Sequence, residues 1–435
     1  MTQDGGAAAD PVGAPHPARR VGIAATAVVL SGVAAGLVGA AMVLLLNGVG
    51  ALAYGPGAAS AEQILRVPAW RRVVAPTAGG LLAGLGWWGL RRGGAIVRVR
   101  AALSDPGRRM GVLRTTADAL LQVLLVGSGG SIGREGAPRQ TAAVLAQFIS
   151  RRLGVDATLA RTLLATAAGA GLAAVYNVPL AGALFSVEIL RVRRPAGMLI
   201  AAVMSLIATV VAWPVVGLRA TYVFPSAPPD LPAAAWALAA IPLTALIGLG
   251  FEALRAMAEW LRPGVGWRLP VAIAIAGAVL GLLSVPLPAL PGNGKDIMEL
   301  VFAGQGSILT LAFLLVLKPL VTTLYVRSGA VGGLLTPALA TGAAAGGCAA
   351  AVVRAWGGEA SVPVWGLVAA AGVLAVTQRA PLFAAAMAWE LTAAPWWTVP
   401  LLVVVAYAAA WTAGGIRQVR RPRTRAQFSG SDPTA

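Results

Sequence analysis

The lengths of the apolar segments constrain this chain most. They fall at 21–47, 70–90, 113–126, 141–150, 157–175, 178–190, 197–217, 233–257, 268–287, 306–325, 337–353, 362–375, 380–391 and 396–413. A helix needs roughly 20 apolar residues to cross a bilayer, and several of these runs are well short of that. The chain is nonetheless 58% hydrophobic and only 11% charged, where soluble domains carry about 25% charged residues. Such a chain is an all-α polytopic membrane protein. Short apolar runs interrupted by Gly or Pro at corresponding places in two halves mark an inverted repeat of broken and tilted helices.

The clearest interruption is Gly127-Ser128-Gly129-Gly130-Ser131-Ile132-Gly133-Arg134-Glu135-Gly136-Ala137-Pro138-Arg139-Gln140. It reads as the end of one helix, a glycine-rich break, and the start of the next. An acid beside an arginine at membrane depth is costly and marks a functional site by default. Irregular backbone there is tolerated only where protein buries it or a wet cavity adjoins it. The first N–H groups of the following helix lack intrahelical partners, and the helix dipole adds about half a positive charge. Glycine lets a ligand approach that backbone closely, so the break suits an anion. The Glu135 carboxylate can fill the same place as a tethered anion and leave it on protonation or displacement. A packing kink with Glu135 and Arg134 facing solvent is the competing account of this stretch alone.

A second break, Arg327-Ser328-Gly329-Ala330-Val331-Gly332-Gly333-Leu334-Leu335-Thr336-Pro337, lies in the other half. Pro337 suits a first helical turn, where its missing N–H costs nothing. The Pro-rich stretch Phe224-Pro225-Ser226-Ala227-Pro228-Pro229-Asp230 divides the chain almost evenly. We therefore expect a disordered N-terminus over 1–20, a first membrane repeat over 21–217, a linker at 218–232, a second repeat over 233–415 and a short basic tail at 416–435. Two helix starts of opposite orientation could then converge near the midplane.

The net charge is +18, from 34 basic and 16 acidic residues, and the only lysines are Lys295 and Lys318. The arginines cluster beside apolar segments, which reflects membrane topology rather than nucleic acid. Arg19-Arg20, Arg91-Arg92, Arg98, Arg100, Arg108-Arg109, Arg114, Arg191, Arg193-Arg194, Arg417, Arg420, Arg421, Arg423 and Arg425 place both termini in the cytoplasm; Arg151-Arg152 and Arg161 fit this less well. The single cysteine, Cys348, and the single histidine, His16, leave no intrachain disulfide, zinc set or His-based catalysis. The glycines at 127–136 are not followed by a P-loop Lys-Ser/Thr, and no Gly-x-Ser-x-Gly elbow occurs. We expect no enzyme, metal or cofactor.

Four stretches together resemble the CLC family of chloride channels and proton-coupled chloride transporters. They are Gly133-Arg134-Glu135-Gly136, Ala174-Val175-Tyr176-Asn177-Val178-Pro179-Leu180-Ala181-Gly182-Ala183-Leu184-Phe185, Leu290-Pro291-Gly292-Asn293-Gly294 and Gly332-Gly333-Leu334-Leu335-Thr336-Pro337. The resemblance covers about 20–415 and implies a multi-pass cell-membrane protein, a homodimer with one anion pathway per subunit. It implies that Glu135 is the gating glutamate. It further implies that backbone amides at Gly133, Arg134 and Gly136 line an outer anion site, and those of Leu334 and Leu335 a central one.

Three departures accompany the resemblance. The family's inner Gly-Ser-Gly-Ile-Pro pattern falls on Gly93-Gly94-Ala95-Ile96-Val97, so backbone at Gly94 and Ala95 replaces a serine hydroxyl. Val419 falls near the place of a C-terminal tyrosine, and Ile189 at that of the exchangers' inner glutamate, beside Glu188. Glu188 and Asp118 are the acids available as a substitute proton path; each also fits a helix-end structural role. Glu390 reads as a cap or structural pair. Lys318 faces an aqueous vestibule or packs on a carbonyl. The expected function is glutamate-gated passage of chloride or a similar small anion, channel-like, with proton-coupled antiport as the alternative. A cation or organic-solute transporter is the reading from another class.

Overall fold

The computed structural model describes residues 17–55, 67–105, 107–229, 231–262, 264 and 266–419. His16, most of the expected disordered N-terminus, Asp230 and the tail arginines 420–425 lie outside the described residues. Among the described residues the regular elements are helices: α1 (Pro17–Tyr54), α2 (Ala69–Arg92), α3 (Val99–Ser104), α4 (Val112–Gly127), α5 (Gly136–Arg152), α6 (Ala157–Tyr176), α7 (Pro179–Leu184), α8 (Pro195–Val216), α9 (Leu231–Trp260), α10 (Arg268–Ser284), α11 (Lys295–Phe302), α12 (Ile308–Arg327), α13 (Leu335–Ala355), α14 (Val362–Gln378), α15 (Pro381–Thr392) and α16 (Thr398–Val419). A π-helical turn, Phe185–Ile189, continues α7. Among the described residues eight helices are long and apolar enough to cross a membrane. The chain is a multi-pass membrane protein.

Local chemistry sets many of the boundaries. Asp156 accepts from the N–H groups of Thr158 and Leu159, both at 2.9 Å, and so caps α6. Pro179 and Pro381 begin α7 and α15, where a missing N–H is harmless. Two residues before each proline, Asn177 and Arg379 end α6 and α14 in left-handed conformations. The first break is shorter than the sequence suggests. α5 begins at Gly136 rather than near 141, because Pro138 is tolerated within a first helical turn. α3 and α11 escape a hydropathy reading altogether, since each is too short to carry an apolar run.

The breaks repeat each other bond for bond. Ser128 N donates to Leu124 O, Gly129 N to Val126 O, and Gly130 N to Leu125 O; Ser328, Gly329 and Ala330 donate likewise to Leu324, Val326 and Tyr325. The hydroxyls of Ser128 and Ser328 also close on the carbonyls three residues back. Gly129 and Gly329 both have positive φ, 101° and 92°, a conformation that favours glycine. Each half thus ends a helix the same way and starts another a few residues later. Small residues let the helices behind the breaks pack closely: a side chain at Gly342 or Gly346 of α13 would strike the backbone of Ala369 or Trp365 on α14.

An exchange of caps ties the halves together. The Glu390 carboxylate, on α15, accepts from the N–H groups of Leu180 (2.9 Å) and Ala181 (2.7 Å) at the start of α7. The Glu188 carboxylate, in the π turn after α7, accepts from Leu382 (3.3 Å) and Phe383 (2.7 Å) at the start of α15. Each short helix therefore caps the other's orphan donors, and the dipole of each favours the other's charge.

Candidate functional site: a carboxylate seated between two helix starts

The two breaks meet. Gly133 N–H donates to Gly333 O at 2.7 Å and Gly333 N–H to Gly133 O at 2.8 Å, a single antiparallel bridge between the halves. A side chain on either glycine would collide with the carboxylate of Glu135. This is why both positions must be glycine while the carboxylate lies there. The bridge also corrects one expectation: the Gly133 amide is taken up by Gly333 and is not free for an anion.

Glu135 is fully buried. Its side chain leaves the start of α5 and reaches the start of α13. Oε1 accepts from Leu335 N–H at 2.6 Å, and Oε2 accepts from the Thr336 hydroxyl at 3.2 Å and the Tyr176 hydroxyl at 3.3 Å. The hydroxyls of Tyr176 and Thr336 lie 2.9 Å apart, and Asn293 Nδ2 donates to the Tyr176 hydroxyl at 3.4 Å. Among the described residues Glu135 has no ion-pair partner. A buried carboxylate here is held by an amide, two hydroxyls and the field of a helix N-terminus. The negative charge sits where an inorganic anion would be favoured.

The surrounding cations hold the frame. Arg139 Nε donates to the Glu135 carbonyl at 2.7 Å, fixing the backbone below the carboxylate. The Arg134 guanidinium lies 4.6 Å from the Tyr176 ring centre, in cation–π range. The amides of Arg134, Gly136 and Leu334 have no hydrogen-bond partner among the described residues. A cavity of about 390 Å³ reaches this point, with Tyr54, Arg134, Asn293, Lys295 and Asp296 in its wall. Asp296 is half-buried there, and its carboxyl is pushed up to about 7, first by desolvation and then by Glu299, with Lys295 and Lys318 opposing. Lys318 itself is fully buried, so packing rather than a vestibule is its place. Its Nζ donates to Ser131 Oγ (3.0 Å), Leu290 O (3.0 Å) and Gly292 O (2.7 Å), binding the cavity rim to the first break.

Other expected residues are placed elsewhere. Gly94 and Ala95 are exposed; Gly94 N–H donates to Arg91 O, and its carbonyl accepts from Arg114. The nearby helix, α3, starts only at Val99, so neither residue presents a helix start to Glu135. Asp118 is buried, accepting from Trp87 Nε1 at 2.9 Å and Gln122 Nε2 at 2.8 Å. Glu188 is committed to capping α15. No hydrogen bond joins either acid to Glu135. What sequence reasoning missed is the pair of hydroxyls, Tyr176 and Thr336. Both sit inside motifs already singled out, yet only the folded chain brings them to one carboxylate.

Comparisons with known proteins place the chain in a family. The family model described as "Voltage gated chloride channel" matches residues 78–413. A putative chloride channel protein, ClcB-like, of Ralstonia nicotianae is 32% identical over 370 residues, covering 80% of this chain and 84% of the relative. The voltage-gated ClC-type chloride channel ClcB of Shigella flexneri is 32% identical over 339 residues, covering 74% and 79%. Among solved structures, a slow cyanobacterial Cl-/H+ antiporter superposes with a TM-score of 0.76 at 21% identity, over 93% of this chain and 96% of the other. A CLC-type fluoride/proton antiporter superposes at 0.70 and 20% identity, over 91% and 96%. With a broken-helix inverted repeat, a glutamate seated where its two halves meet, and a family match over most of its length, this chain belongs to the CLC voltage-gated chloride channel family.

Proposed function

We propose that the chain passes chloride or a similar small anion across the cell membrane, with Glu135 as the gate. The observation that carries this reading is the Glu135 carboxylate on the Leu335 amide, a tethered anion in an anion's place. Protonation, or competition by a free anion, releases the side chain and leaves Leu335 N–H, Thr336 Oγ1 and Tyr176 OH as a ready set of donors. These hydroxyls compensate for the missing serine at Gly94 and the missing C-terminal tyrosine. Arg134, Gly136 and Leu334 supply further amides; Gly133, Gly94 and Ala95 drop out of the anion-binding set.

The passage is channel-like in this reading. Ile189 stands where exchangers of the family carry an inner acid, and the adjacent Glu188 is held by two α15 amides. The Asp118 carboxylate is likewise held by Trp87 and Gln122. A homodimer with both termini in the cytoplasm belongs to the same reading, through the family. The test is purified protein in chloride-loaded liposomes, recording chloride efflux and external pH together. Efflux without proton movement supports the channel, and stoichiometric opposing proton flux supports the antiporter. Efflux that Glu135→Gln leaves unchanged would remove Glu135 as gate.

A further inference from the structure

We propose that a second, larger anion site lies at the far end of α6, and that it takes a multiply charged, phosphate-bearing ligand. A cavity of about 1040 Å³ opens there, and Arg100, Arg161, Arg191, Arg193, Arg194 and Arg379 all contribute to its wall. Among the described residues the only carboxylate in that wall is Glu188, and both its oxygens are taken by Leu382 and Phe383. Arg379 lies 3.4 Å from Glu252, and Arg161 donates to Leu103 O. Arg100, Arg191, Arg193 and Arg194 have no ion-pair partner among the described residues. The cavity therefore concentrates positive charge that the described residues do not neutralise.

Its place separates it from the seat of Glu135. Arg161 and Tyr176 are on the same helix, about 22 Å apart along its axis, and the wall shares no residue with the Glu135 seat. Its size separates it too. Pockets of roughly 300–1,000 Å³ accommodate organic ligands, far more than a monatomic ion needs. Guanidinium groups present paired donors that match phosphate oxygens two at a time. Two of these arginines are also fixed by unusual backbone: Arg191 and Arg379 have φ of 61° and 55°. The π turn Phe185–Ile189, a feature frequent at functional sites, leads into the same wall. The ligand chemistry is two or more phosphates, either on a soluble nucleotide-like molecule or on an anionic lipid headgroup at the membrane surface.

The test uses the full chain in neutral detergent with about 150 mM chloride, where long-range fields are screened. ATP and pyrophosphate are titrated by calorimetry. Separately, chloride efflux is compared in vesicles with and without cardiolipin. Saturable binding of either phosphate probe assigns a soluble ligand; a cardiolipin effect alone assigns a headgroup. In both cases Arg193→Ala combined with Arg194→Ala should weaken the response about tenfold or more, and Arg100→Ala should weaken it as well. All three side chains are exposed, so the fold tolerates their loss. Glu135→Gln should leave phosphate binding intact, which keeps this proposal separate from the gate. No response to any probe, a response untouched by both sets of arginine substitutions, or equal binding of sulfate would overturn it. The last result would mean that the cavity merely gathers anions.

Discussion

Removing the Tyr176 hydroxyl gives a prediction whose size depends on what else occupies the seat. Tyr176→Phe keeps the ring under Arg134 and deletes one donor to Glu135 Oε2. That contact is long, 3.3 Å, beside the 2.6 Å bond from Leu335. The value of an ordinary hydrogen bond rather than a charge-assisted one applies, about 1 kcal/mol, or roughly fivefold in an equilibrium constant. In the wild-type chain the carboxylate and the anion compete for this donor, so both lose it. Apparent chloride affinity should then change by less than about twofold, by cancellation. In Glu135→Gln the charged competitor is gone and the loss falls on the anion alone, weakening it by the full factor of about five. Calorimetric chloride titrations of wild type, both single variants and the double variant measure this. An equal loss in both backgrounds would refute the idea of a shared seat, and no loss in the glutamine background would remove Tyr176 as an anion donor.

Further outcomes follow from neighbouring contacts. Gly333→Ala places a methyl on the Glu135 carboxylate and should expel it, giving chloride efflux close to that of Glu135→Gln. Glu188→Ala removes the cap of α15 and should cost about 1–2 kcal/mol, seen as a lower midpoint of thermal unfolding in detergent. If Glu188 were instead a proton relay, its loss would change proton flux with little effect on the midpoint. Asp296, with its carboxyl at about 7 against an ordinary 3.8, binds its proton more tightly in the folded chain. Its contribution to stability is full below about pH 4 and lost as pH rises through 7. The same titration makes the cavity more positive as pH falls from 8 to 6. Efflux through Glu135→Gln protein should rise over that interval, and Asp296→Asn should flatten the rise.

How much of this could be read from the chain depends on whether a feature is local. Helix ends at Gly127 and Arg327 follow from glycine runs next to apolar segments, and these were legible. The Gly133–Gly333 bridge was not, since nothing local to either glycine names a partner two hundred residues away. Comparing the halves directly offers a signal: Ser-Gly stands at 128–129 and again at 328–329, and glycine at 133 and 333. The reciprocal caps leave a similar trace. Pro179-Leu180 and Pro381-Leu382 are each followed, nine residues after the proline, by Glu188 and Glu390. For Asp118 and Glu188 both a proton-path and a helix-end reading stayed open, because their partners, Trp87 and the α15 amides, are distant in sequence. Gly94 and Ala95 were misplaced for a different reason. A glycine pair signals a break, but not that Arg114 would fold over it and that α3 would begin four residues later.

The most direct measurement is crystallographic: bromide-soaked crystals of wild type and Glu135→Gln, compared by anomalous scattering. The account predicts a bromide in the variant within reach of Leu335 N–H, the Thr336 hydroxyl and the Tyr176 hydroxyl, at the position the wild-type carboxylate holds. An empty seat in the variant, or a bromide bound there while Glu135 remains in place in the wild type, would contradict it.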